Sequence, residues 1–228
     1  MNEQLELFDI PFQIYSERQL YEKSCDFLEE PTLYTIFFVS AEQCNYLSEA
    51  KTLIQRNEQI LWLPGDDALR SLIPKKERHE LADFSILNYT MQICGYAADM
   101  GLDLCFLMED KKQLEFVMSS VRNVYPYLAI HGLYLKSMKS PEMMVNEINS
   151  IAPEILVIGL HAGEVRRYME YDRKRTNARL CICVGNLLTD EMSKKNKLFH
   201  TITMSRKLKK HLRKFSKKEQ EENGSVGK

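Results

Sequence analysis

The sequence predicts an α/β fold of Rossmann-like type, a mostly parallel sheet with helices on both faces, followed by a basic C-terminal helical tail. Three observations carry that prediction. Short apolar runs alternate along the chain with amphipathic, helix-like stretches. The runs YTIFFV, EILVIGL and LCICV are continuously apolar, as strands covered on both faces must be. Turn signals such as Pro64-Gly65 and Gly101 punctuate the alternation.

The elements follow in order. Tyr34–Val39 is rich in β-branched and aromatic residues and reads as a strand. Glu42–Gln55 places Leu47, Ala50, Leu53 and Ile54 at helical spacing. Ile60–Leu63 is a short strand stopped by Pro64-Gly65, with a short helix at Ala68–Leu72. Asp83 can cap a long helix that reaches Met100 and ends at Gly101. Leu102–Met108 is a strand, Lys111–Val124 a helix, and Tyr127–Ile130 a strand after Pro126. Ser140-Pro141-Glu142 opens another helix, with serine at the N-cap and proline in the first turn. Strand Ile155–Leu160, helix Glu164–Thr176 and strand Leu180–Val184 complete the series. Such alternation implies right-handed βαβ crossovers.

The chain has 228 residues, enough for one sizeable domain with its own core. No CxxC pair or Cys/His metal spacing occurs among Cys25, Cys44, Cys94, Cys105, Cys181 and Cys183, so buried free thiols are expected and no metal site. Met1–Leu7 is acidic and polar, so no secretory signal is expected, and no window approaches the apolar length that spans a bilayer. The net charge of −1 hides an asymmetry: residues 1–193 hold 19 basic and 29 acidic residues, whereas residues 194–218 hold 11 basic and no acidic ones. Two parts follow, an α/β domain at 1–193 and a basic appendage at 194–228 whose end is expected to be disordered. In Arg206–Lys218, Leu208, Leu212 and Phe215 form a narrow apolar stripe among basic residues. That helix either packs its stripe on the body or lies on an anionic bilayer. Nucleic acid is a weaker partner, because the tail lacks interleaved aromatics and the body is acidic.

Ligands of open parallel sheets bind beyond the carboxyl ends of the strands. Those ends are Ser40-Ala41-Glu42, Pro64-Gly65-Asp66-Asp67, Glu109-Asp110, His131-Gly132, His161-Ala162-Gly163-Glu164 and Gly185-Asn186. Asp66-Asp67, after a strand and a tight turn, is the best candidate for a general base. The structural alternative is that these aspartates make an Asx-turn or cap the helix Ala68–Leu72. His161 and His131 are candidate acid/base or phosphate-donor groups. Gly159 and Gly185 permit close backbone approach where strand becomes loop.

The order of segments resembles the WecG/TagA/CpsF family of bacterial glycosyltransferases, from about Leu7 to Lys195. "LFDIPFQIYSERQLYEKSCDFLEE" looks like the family's opening strand, short polar turn and first helix. "FFVSAEQCNYLSEAK" stands at its T-x-N segment, and "ILWLPGDDALR" at its strand ending in Pro-Asp-Gly. "IAPEILVIGLHAGEVRRYM" matches the strand leading into G-x-P-K-Q-E-x-W, and "ARLCICVGNLL" matches V-G-G-x-F-D. Several polar positions depart from that pattern. Phe38 and Ser40 replace the threonine and asparagine, Pro64-Gly65-Asp66 displaces the carboxylate by one position, and Met108-Glu109 replaces a glycine pair. Gly163-Glu164-Val165-Arg166 replaces P-K-Q-E, and Thr189, beside Asp190, stands at the last aspartate.

The resemblance implies inverting transfer of a sugar from a UDP-sugar to a polyprenyl-diphosphate-linked acceptor at the inner face of the cytoplasmic membrane, without a dinucleotide cofactor. Two hypotheses follow. As an enzyme, the chain uses Asp66 or Asp67 as base. Ser40, Gly159, His161, Glu164, Gly185 and Asn186 line the nucleotide-sugar pocket, while Arg206, Lys209, Lys210 and Arg213 meet the acceptor diphosphate and membrane. As a catalytically degenerate member, it is a binding or scaffold partner in the same assembly pathway. Self-association or a glycosyltransferase partner fits either hypothesis.

Overall fold

In the computed structural model, residues 4–47, 59–78, 81 and 84–194 are described. Two units divide the chain, Met1–Thr189 and Asp190–Lys228. The first holds the whole sheet. Of the second, residues 190–194 are described, and they are helical. The sequence-predicted residues Asp83, Arg206, Lys209, Lys210 and Arg213, the tail stripe, and the end of the predicted helix Glu42–Gln55 lie outside the described residues.

The strands are β1 (Gln4–Leu7), β2 (Ile10–Gln13), β3 (Tyr34–Val39), β4 (Ile60–Pro64), β5 (Leu104–Met108), β6 (Ile130–Tyr134), β7 (Ile155–Gly159) and β8 (Leu180–Cys183). They form one eight-stranded sheet in the order β1-β2-β4-β3-β8-β7-β5-β6. Only β1 and β2 pair antiparallel; the other described pairs are parallel. Their hairpin turns at Phe8-Asp9, both left-handed with φ of 57° and 61°, as a two-residue hairpin of primed type requires.

The helices are α1 (Glu17–Glu29), α2 (Ala41–Leu47), α3 (Asp67–Leu72), α4 (Lys75–Arg78), α5 (Ile86–Met100), α6 (Lys111–Arg122), α7 (Pro141–Ile151) and α8 (Ala162–Arg167). Strand parity sends alternate residues to opposite faces. Phe37, Val39, Trp62, Leu107, Ile158 and Cys183 join one core with residues of α2, α7 and α8. Phe38 points the other way, its ring 5.6 Å from Tyr89 of α5, whose hydroxyl lies 2.8 Å from Ser24 Oγ of α1. Each large apolar side chain buried this way contributes roughly 1.5–3 kcal/mol.

Caps set the helix starts. Ser16 and Gln19 close a capping box on α1, and Ser140 caps α7 with Pro141 following. Ser85 caps α5, and left-handed Gly101 ends it. Helix α8 continues as a π turn, Tyr168–Asp172, and a 3-10 turn, Arg173–Arg175, where one regular helix was predicted. The insertion buries Tyr168, Met169 and Asp172 together. Five of the six cysteines are buried and Cys25 is half-buried, all free. Burial pushes the thiols of Cys94 and Cys105 up to about 12.

One strand is displaced from its prediction. Residues 127–129 are loop, Tyr127 is 99% exposed, and the strand is Ile130–Tyr134, in register with Leu104–Met108. His131 and Gly132 therefore lie inside an edge strand and not at its exit. His131 Nε2 faces Asp103 Oδ1 at 3.5 Å, next to the start of β5 and away from the carboxyl-end rim. A Cβ on Gly132 would stand 2.5 Å from Met118 Sδ, so that side chain would have to shift.

The connections define where a ligand fits. From β5 the chain crosses through α6 to β6 on one face; from β7 it crosses through α8 to β8 on the other. Strands β5 and β7 are neighbours whose crossovers leave to opposite faces, the arrangement that in open parallel sheets opens a crevice at the strand ends, here beyond Met108 and Gly159, which pair in register.

Candidate functional site

Two corners make up the carboxyl-end rim. The first lies at the exits of β3 and β4. Ser40 and Gln43 cap α2 reciprocally: Ser40 N donates to Gln43 Oε1 at 2.8 Å, and Gln43 N donates to Ser40 Oγ at 3.3 Å. Asp66 caps α3, its Oδ1 accepting from Leu69 N at 2.9 Å, and its Oδ2 accepts from Ala41 N at 2.7 Å. Both carboxylate oxygens thus hold backbone amides at the starts of two different helices. Gly65 sits between, its N–H donating to Val39 O at 2.7 Å. A Cβ on Gly65 would stand 2.8 Å from Val39 O and 2.5 Å from Leu187 Cδ1. The residue after Pro64 therefore cannot carry a side chain, and the carboxylate occupies the next position and turns back. Asp67 is exposed in the first turn of α3.

The second corner is the β5/β7 crevice, continued by the exit of β8. A Cβ on residue 159 would press on Met108 Sδ and stand 3.2 Å from the main-chain oxygen of Gly185. Glu109 Oε2 accepts from His161 N at 3.5 Å, long for a carboxylate contact. His161 Nδ1 lies 3.1 Å from Asn186 Nδ2, and Asn186 Oδ1 is buried without a donor among the described residues. Gly185 adopts φ of 52°, and its Cβ would meet Gln43 Nε2 at 3.1 Å. Gln43, itself 4% exposed, therefore stands between the exits of β3 and β8.

The sequence matches the profile of the Glycosyl transferase WecG/TagA/CpsF family over residues 5–197. The chain belongs to that family. No individual curated protein matches it. Membership in the WecG/TagA/CpsF family assigns the chain a glycosyltransferase role in cell-surface polysaccharide assembly, which in general joins a nucleotide-sugar donor to a lipid-linked acceptor. Among the described residues no helix is long and apolar enough to cross a membrane, and no His/Cys/Asp/Glu group could hold a metal ion.

The remaining candidates fall around the family rim. Ser40, Gly159, His161, Gly185 and Asn186 lie at the strand exits, as the sequence placed them. Glu164, in the first turn of α8, pairs along its helix with Arg167 at 3.1 Å, and Arg167 also meets buried Asp172 at 2.9 Å. Asp110 caps α6 through Gln113 N, and this bond, with Lys136 nearby, holds its carboxyl below the usual range. Sequence reasoning missed Gln43, although Ser40-Ala41-Glu42-Gln43 is a readable S-x-x-Q capping box. Nothing local in the sequence signalled that Asp66 reaches Ala41.

Proposed function

We propose that this chain transfers a sugar from a UDP-sugar to a polyprenyl-diphosphate-linked acceptor at the inner face of the cytoplasmic membrane. The observation that carries the reading is the family match along the domain, joined to a rim whose polar side chains gather beyond the strand ends. In this reading the donor lies along the rim between the β3 and β7 exits. The acceptor hydroxyl loses its proton to a rim base as its oxygen attacks the anomeric carbon, and UDP leaves with the bonding electron pair. Asp66 and Asp67 are the first candidates for that base. The basic residues 194–218, with Arg206 and Arg213, serve the acceptor diphosphate and anionic lipid, since guanidinium forks suit phosphate geometry.

One observation favours the second reading, a catalytically degenerate partner in the same pathway. Asp66 has both oxygens engaged by backbone amides, so it already has a structural task. Calorimetric titration with UDP and a panel of UDP-sugars separates the two. Micromolar binding of one UDP-sugar, followed by turnover with a lipid-linked acceptor, supports the transferase. Folded protein that binds no nucleotide at millimolar ligand rejects it and leaves the partner role.

A further inference from the structure

We propose that the β5/β7 crevice is a subsite for sugar hydroxyls, built from Glu109, His161 and Asn186, and that the donor's diphosphate lies elsewhere on the rim. The nucleotide-linked form of the sugar rests on the reading above; the hydroxyl chemistry rests on these three side chains.

Topology marks two places, because the crossovers after β5 and β7 leave on opposite faces, as do those after β3 and β4; the β5/β7 exits are the pair that carries Glu109 and His161. Hydrogen bonding then selects the ligand. Where the Asn186 NH2 donates to His161 Nδ1, 3.1 Å away, the ring's own N–H is the one on Nε2. Among the described residues Nε2 has no partner, so exposed His161 presents an N–H donor. Glu109, tethered to the main chain of His161, presents carboxylate acceptors beside it. A donor and an acceptor anchored at one corner suit two adjacent hydroxyls of a sugar ring, one accepting from His161 and one donating to Glu109.

Charge opposes a phosphate at the same place. Glu109 brings a negative charge, and among the described residues no lysine or arginine side chain pairs with Glu109, His161 or Asn186; Lys136 meets Glu109 through the main chain, its N–H donating to Glu109 O at 3.2 Å. The neighbouring cations are committed elsewhere: Lys136 meets Asp110 at 3.4 Å, Arg166 meets Glu170 at 3.1 Å, and Arg167 bridges Glu164 and Asp172. A diphosphate seated there would lie against a carboxylate that no lysine or arginine side chain among the described residues pairs.

The test follows the His161 imidazole resonances by NMR in the full-length protein, with calorimetry in parallel. Two ligand arms are used: free sugars (methyl glucoside, N-acetylglucosamine and N-acetylmannosamine at high concentration), and UDP against the matching UDP-sugars. The expected result is that at least one free sugar shifts the His161 signals, that Glu109→Ala and Asn186→Ala abolish the shift, and that UDP alone leaves it in place. Glu109→Ala should also cost a UDP-sugar about tenfold in affinity, what one charge-assisted hydrogen bond provides, while UDP is little changed. Glu109→Gln, which keeps the shape without the charge, guards against a folding effect. The inference is overturned if no free sugar perturbs His161, or if Glu109→Ala strengthens UDP itself, which would make the crevice a diphosphate site. Wild-type protein that responds to free sugars but binds neither UDP nor any UDP-sugar would sink the nucleotide-sugar reading and leave this subsite standing.

Discussion

Asp66 Oδ2 accepts the amide of Ala41 at 2.7 Å, although Asp66 already caps its own helix through Leu69 N. One carboxylate therefore ties the exit of β4 to the exit of β3, and its removal leaves two amides unpaired. Asp66→Ala is expected to lower stability by about 2–3 kcal/mol, from one helix cap and one further part-buried amide bond. Asp66→Asn should recover little, because its NH2 must face one of the two N–H groups. Urea unfolding of both variants checks this. Unchanged stability in Asp66→Ala would mean that the clamp is not formed, and would return Asp66 to a purely catalytic role.

The family order Pro-Asp-Gly cannot be restored here by exchange. In the Gly65→Asp, Asp66→Gly double variant the new Cβ meets two backbone atoms, Val39 O at 2.8 Å and Phe38 C at 3.1 Å. Overpacking and the lost clamp together should cost about 3–5 kcal/mol. A thermal melt suffices to check it; a double variant as stable as the wild type would show that this corner yields more easily than its close contacts imply.

How much of this was legible beforehand depends on whether the cause was local. YTIFFV, EILVIGL and LCICV announce buried strands by composition alone, and Ser140-Pro141 announces a helix start. Strand β6 was misplaced because His131 and Gly132 interrupt its apolar pattern, and only pairing with Leu104–Met108 fixes its register. The capping alternative for Asp66 could be read from an aspartate after Pro-Gly. Its bond to Ala41 could not, because that contact exists only once β3 and β4 pair side by side. Likewise His161 and Asn186 are separate candidates in the sequence, and the pairing of β7 with β8 brings them to 3.1 Å.

Arg173 is 2% exposed, and among the described residues no carboxylate pairs with it. Its Nε donates to Thr35 Oγ1 at 2.7 Å, and its Nη2 donates to Leu33 O at 3.0 Å and Gln59 O at 3.4 Å. The guanidinium fork thus pins the starts of β3 and β4, while burial lowers its pKa. Arg173→Met should cost about 2 kcal/mol through the orphaned Leu33 carbonyl and Thr35 hydroxyl, since Gln59 O keeps the Thr35 amide. Arg173→Lys should cost at least as much, since a buried ammonium cannot reach all three acceptors. Chemical denaturation gives both values, and a lysine variant more stable than the methionine variant would contradict the fork geometry.

Asp172 supplies a pH signature for the domain. Its side chain is 2% exposed beside Arg167 and Arg175, and burial, the largest influence, outweighs those cations and raises its pKa. A carboxyl with a raised folded pKa binds its proton more tightly folded than unfolded. Its contribution is therefore fully present below the unfolded pKa and is lost as pH rises through the folded one. The window opens near the ordinary aspartate value, about 3.9, and extends upward from it. Across that window Asp172 opposes the usual gain of stability with rising pH. Replacing it by asparagine removes the titration, so Asp172→Asn should gain stability more steeply than the wild type as pH rises through the acid range. Urea midpoints measured at closely spaced acidic pH values test the sign. A variant with the shallower rise would show that the arginines, and not burial, set the charge state of Asp172.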